Sequence, residues 1–123
     1  MGGLGIVRPG DPESAAAVRA GGRQAARQLR LGPVEGEMLR AILRKRDAAV
    51  AAVRAGHSIP ADGTDLEGDL RTLHGLRIYE ETSNPAAREL WVALLTGQST
   101  PAVETVVSYL QGMLDVCGGG EQN

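Results

Sequence analysis

Aromatic residues are almost missing from this chain of 123 residues: it has no Phe, one Trp and two Tyr. A core filled by rings is therefore excluded. The 42% of hydrophobic residues must build the interior from Ala, Leu and Val, whose small volumes favour close helix–helix approach. The same scarcity removes the platform on which single-stranded nucleic acids stack their bases. Cysteine is scarce too. Cys117 stands alone, so no intramolecular disulfide can form, which fits a reducing, cytoplasmic compartment. No apolar run approaches the roughly 20 residues that span a bilayer, so no membrane partner is expected. The start, Met1-Gly2-Gly3-Leu4-Gly5, lacks the charged and apolar regions of a secretion signal.

Histidine is nearly as rare. His57, His74 and Cys117 are far apart and in no ligand spacing, so neither a metal nor a cofactor is expected. Ser83, Ser99 and Thr100 have no neighbouring base that would make a nucleophile. They are better explained as residues that open helices. No catalytic constellation can be assembled.

Helix signals, in contrast, are abundant. Pro33 opens the longest periodic stretch and Gly56 closes it; Pro lacks the N–H that has no acceptor at a first helical position, and Gly takes a left-handed exit cheaply. At about 100° per residue, Val34, Met38, Ile42, Ala49 and Val53 share one face, with Leu39, Leu43 and Val50 along its edge. Arg46 breaks the rule by projecting into the apolar arc, and Lys45 sits at its border. Asp11-Pro12-Glu13 starts an earlier helix, which Gly21-Gly22 are expected to break before it resumes over Arg23–Arg30. Thr64-Asp65-Leu66-Glu67 has the form of a capping box with Thr64 as the cap. It leads into Leu66, Leu70 and Leu73, and this helix is expected to fade near Glu80-Glu81. Asn84-Pro85 opens a fourth helix with Leu90, Trp91, Leu94 and Leu95, closed by Gly97; Thr100-Pro101 opens a fifth. In the fifth, Val103, Val107, Leu110, Leu114 and Cys117 are spaced 4-3-4-3, the seam of a helix lying along another helix.

No segment alternates with period two. The expected fold is all-α: an antiparallel bundle of four to five helices, with a flexible Gly-rich arm at 1–10, a single helical domain at 11–117 and a disordered tail at 118–123.

Charge is unevenly spread. Residues 1–55 hold ten Arg and Lys against five Asp and Glu, whereas residues 56–123 hold three against ten. Such halves are complementary, within one chain or between two copies. Arg19, Arg23, Arg27 and Arg30 fall within an arc of ~80° if Gly21-Gly22 leave the helix intact. Four like charges on one face call for an anion, and guanidinium suits phosphate.

The stretch Met38-Leu39-Arg40-Ala41-Ile42-Leu43-Arg44-Lys45-Arg46 resembles the Leu- and Arg-rich long helix of helical chorismate mutases. That likeness covers about one helix and implies a small anionic substrate held between helices, with Arg46, Lys45 and Arg77 toward the interior. The later Arg, Lys and Glu set of that family has no counterpart here.

A non-enzymatic, self-associating interaction module follows as the expected function, with Val103, Val106, Val107, Leu110 and Leu114 burying against another helix of the same chain or of a protein partner. A nucleic-acid-associated coat, packaging or regulatory protein is the alternative, with Arg19, Arg23, Arg27 and Arg30 on phosphates. A small enzyme holding an anionic metabolite near Arg46 is a third.

Overall fold

The computed structural model describes residues 12–78 and 85–117. Among them are five α-helices, one single-turn 3-10 helix and no strand: α1 (Pro12–Leu29), α2 (Pro33–Arg54), the short turn Ala61–Gly63, α3 (Leu66–Gly75), α4 (Pro85–Leu95) and α5 (Pro101–Cys117). The all-α expectation is met. Asp11, Glu80, Glu81, Ser83, Asn84, the arm at 1–10 and the tail at 118–123 lie outside the described residues.

Pro12, Pro33, Pro85 and Pro101 each occupy the first position of a helix, as the missing N–H dictates. The exits are equally uniform. Gly56 and Gly97 adopt left-handed φ values of 92° and 82°. At the end of α2, Gly56 N donates to Val53 O and His57 N to Ala52 O, the paired bonds of a Schellman exit. Gly97 and Gln98 repeat the pattern on Leu94 O and Ala93 O.

Arg30 and Arg77 make the same exit without glycine, at φ 57° and 64°. Leu31 N reaches Ala26 O, and Ile78 N reaches Leu73 O. Two expectations change with this. Arg30 lies past the end of α1 and off its Arg arc. Arg77 does not extend the Leu70–Leu73 stripe inward; it is an exposed residue beyond α3, which ends at Gly75 and so stops short of Glu80-Glu81.

Caps also shift. Asp65, not Thr64, caps α3, accepting from Gly68 N at 3.3 Å. Thr64 donates to Ala61 O instead, and Glu67 is drawn away to Arg88. A capping contact that the sequence rule for Ser or Thr missed is present at α2: Glu35 Oε1 accepts from Gly32 N at 2.8 Å. Here Gly is the cap and Glu35 the third helical residue, so half of a capping box survives without a hydroxyl. This backbone bond lowers the pKa of Glu35.

The described residues gather into two compact units. One contains α1, the first turn of α2 and α5. Here α1 runs unbroken through Gly21-Gly22, because Gly22 is the point at which α5 touches it. A Cβ on Gly22 would overlap Tyr109 O and stand 3.1 Å from Met113 N; one on Gly112 would overlap Arg19 O and stand 3.0 Å from its Cα. Contacts therefore pair 22 with 109 and 19 with 112, rising along one helix as they fall along the other. Ala26, Val103, Leu110, Met113 and Cys117 are buried around this crossing.

The second unit runs from Glu37 to Ser99 and packs Leu39, Ile42 and Ala49 of α2, Leu70 and Leu73 of α3, and Trp91, Leu94 and Leu95 of α4. Its α2 face differs from the expected one. The buried row is Leu39-Ile42-Arg46-Ala49, whereas Val34, Met38 and Val53 are 65%, 42% and 37% exposed. The helix is thus turned so that Arg46 sits mid-face instead of intruding on it.

Replacing Gly22 or Gly112 with Ala is expected to destabilise the protein by about 1–3 kcal/mol, because a backbone carbonyl cannot move aside as a side chain would. Gly21→Ala meets nothing within 4 Å and is expected to stabilise by about 0.5–1 kcal/mol through helix propensity. Urea unfolding of the three variants checks the contrast.

Candidate functional site

Three clusters of charge carry the chemistry that this chain can offer. The first lies where α1 meets α5. Arg19 presents Nε and Nη2 to the two carboxylate oxygens of Asp115, each at 2.8 Å, and Arg23 Nη1 adds a third bond at 3.2 Å. The bidentate geometry is the strong form of the pairing, yet Asp115 remains 31% exposed and Arg19 44%. Chiefly through the Arg19 hydrogen bond, and against desolvation, the Asp115 pKa is lowered; the same bond raises that of Arg19. The anion that the Arg stripe calls for is therefore supplied by the chain itself.

The second cluster is Arg46, which is 5% exposed. Its Nη1 donates to Leu94 O at 3.1 Å and to Gln98 O at 2.6 Å. Leu94 O lies in the last turn of α4 and also accepts from Gly97 N, whereas Gln98 O lies just past the helix; the dipole at that end favours a cation. These contacts tie α2 to the turn that closes α4. Gly97 supports the same junction, since a Cβ there would stand 2.6 Å from Ala49 O.

The third cluster lines a cleft of about 410 Å³ in the second unit. Lys45, Ala48 and Ala49 of α2 form one wall; Thr64, Asp65 and Asp69 lie at the start of α3, and Ile59, Gly63 and Leu95 complete the lining. Lys45 Nζ meets Asp69 Oδ1 at 2.9 Å and Oδ2 at 3.2 Å. Only 10% of the Asp69 side chain is exposed, against 47% of Lys45. Asp69 also sits in the first turn of α3, where the dipole favours a carboxylate. The sequence marked Lys45 as a border residue of the apolar arc but did not pair it with Asp69. Its signal is an acid four residues after the cap Asp65 and one residue before Leu70.

The other expected site residues are dispersed. Arg27 and Arg30 are exposed. Val103 and Leu110 are 0% exposed, already enclosed by their own chain, whereas Val106, Val107 and Leu114 are half-buried. Cys117 is buried and donates from Sγ to Met113 O. His57 and His74 are exposed, and among the described residues no group of three or more His, Cys, Asp or Glu could hold a metal. No described helix is long and apolar enough to cross a membrane.

No family model matches the chain, and neither a curated protein nor a solved structure does.

Two outcomes follow. Because the Asp115 pKa is lowered on folding, the clamp contributes fully above the unfolded carboxyl value of about 3.9 and is lost as pH falls through the lower folded value. The stability gap between wild type and Asp115→Asn, at most about 1 kcal/mol at this exposure, is expected to be constant at neutral pH and to close in acid, as read by urea melts across pH. Arg46→Met leaves the carbonyls of Leu94 and Gln98 without that donor and is expected to cost about 1–3 kcal/mol, read by the same method.

Proposed function

We propose that this protein is a non-enzymatic helical interaction module that self-associates in the cytoplasm through the outer face of α2. Supporting it is the distribution of apolar surface: the large hydrophobic side chains left exposed among the described residues are Val34, Met38 and Val53, all on α2. Met38 continues along that helix into Ala41, Lys45, Ala48 and Ala52 at a 3-4-3-4 spacing, of which all but the half-buried Ala52 are exposed. This is the pattern of a seam that admits a second helix closely. A second copy is favoured as occupant by the charge halves of the chain, +5 over residues 1–55 and −7 over residues 56–123 from the residue counts above, since each copy offers what the other lacks.

The seam on α5 is a weaker candidate for a partner, with Val103 and Leu110 fully covered. A phosphate-binding role competes with Asp115 for the first two guanidiniums of the stripe, Arg19 and Arg23, and a metabolite role for Arg46 competes with the carbonyls it holds. The single buried thiol suits a reducing compartment.

Sedimentation velocity over a range of protein concentrations tests the proposal. Wild type is expected to gain mass with concentration, and Met38→Glu with Ala41→Glu is expected to stay monomeric while melting as wild type does, because both positions are exposed. A wild-type chain that is monomeric throughout overturns it. Nucleic acid added at low salt is expected to leave the profile unchanged.

A further inference from the structure

The cleft beside Lys45 and Asp69 shares Lys45 and Ala48 with the α2 seam, and it has the features of a small-molecule site. Its volume, about 410 Å³, falls within the roughly 300–1,000 Å³ of ligand pockets. Ala48, Ala49, Ile59 and Leu95 give it apolar walls, and its charged lining is two carboxylates, Asp65 and Asp69, against a single cation, Lys45.

The charge balance selects the ligand. Lys45 Nζ already lies against both oxygens of Asp69, so an arriving anion meets a cation whose charge is engaged. An arriving cation meets two carboxylates with capacity to spare. A carboxylate offers about four lone-pair sites; among the described residues Asp69 accepts side-chain bonds from Lys45 alone, and Asp65 accepts one backbone bond from Gly68 at 3.3 Å. Asp69 is held in place by burial, whereas Lys45 is a half-exposed, flexible stem that can swing aside to share it. The buried carboxylate is the fixed element and the cation the movable one.

We propose that this cleft binds a small organic ammonium ion with a short apolar chain: the ammonium is held by Asp69 and Asp65, and the chain lies on Ala48, Ala49, Ile59 and Leu95. The same chemistry is offered by a free alkylamine and by a lysine side chain, and the cleft recognises the feature they share.

The test uses the isotope-labelled full chain, with amide chemical shifts followed during titration with n-pentylammonium, 1-pentanol and pentanoate. Pentylammonium is expected to give saturable shifts around Ala49, Asp69 and Leu95, and to bind at least about tenfold more tightly than pentanol, the effect of one charge-assisted hydrogen bond. Pentanoate is expected to give none. Asp69→Asn should weaken the ammonium by about tenfold. Ala48→Phe, at an exposed position on the cleft wall that also lies on the α2 seam, should abolish binding with little change in the melting curve, both read at a concentration at which sedimentation shows the chain monomeric, and it serves even if Asp69→Asn fails to fold. Nα-acetyl-lysine amide separates the sources: binding tighter than pentylammonium supports a protein lysine as ligand, and weaker binding supports a free amine. Pentanol binding as tightly as the ammonium overturns the proposal, as does an ammonium titration without saturable shifts or binding that survives Ala48→Phe.

Discussion

Glycine Cα atoms lying against backbone carbonyls are the constraint on which this fold depends. Without Phe, and with one Trp, the interior cannot be filled by bulk, so helices must come close enough for Ala, Val and Leu to meet. In the first unit that approach is made by Gly22 against Tyr109 O and Gly112 against Arg19 O; in the second, by Gly97 against Ala49 O. Each glycine costs helix propensity or chain entropy, and dense packing offsets that cost. Composition and contact geometry are thus one fact seen at two scales.

Charge is used in the same economical way. Arg46 is buried at the C-terminal end of α4, so the carbonyls of Leu94 and Gln98 receive a charged donor from α2 where the helix dipole favours one. Arg19 and Arg23 converge on Asp115, Lys45 bonds Asp69, and Arg88 bonds Glu67. Most of these pairs are half-exposed and individually weak. Their effect is to fix which helix lies beside which, in a core whose small side chains discriminate little between arrangements.

Much of this was legible from residues alone. Four prolines mark four helix starts and Gly56 and Gly97 mark two exits, because each rests on a backbone rule that tertiary structure rarely overrides. The face of α2 was misplaced because periodicity treats Arg as polar, whereas the carbonyls that satisfy Arg46 are about fifty residues away and invisible locally. Gly21-Gly22 looked like a break for a similar reason: propensity records the cost of glycine but not the helix it admits. The left-handed Arg30 and Arg77 had no signal at all, since arginine carries no preference for that conformation. Of the candidate sites, the Arg stripe was visible and its partner Asp115 was not, and Asp69 became interesting only when Lys45 was placed beside it.

The pairing of position 22 with 109 and of 19 with 112 also bears on the order of assembly. Everything from Glu37 to Ser99 is contiguous in sequence, so that unit can gather by short-range encounters. The unit of α1 and α5 must instead wait for the chain to return across about 90 residues, a loop-closure entropy of roughly 4 kcal/mol beyond the constant term. Prior condensation of the intervening segment shortens the slack that must be closed. A nascent chain therefore holds α1 without its mate until α5 is made, and the glycine-notched surface of α1 stays open to mispairing for that interval.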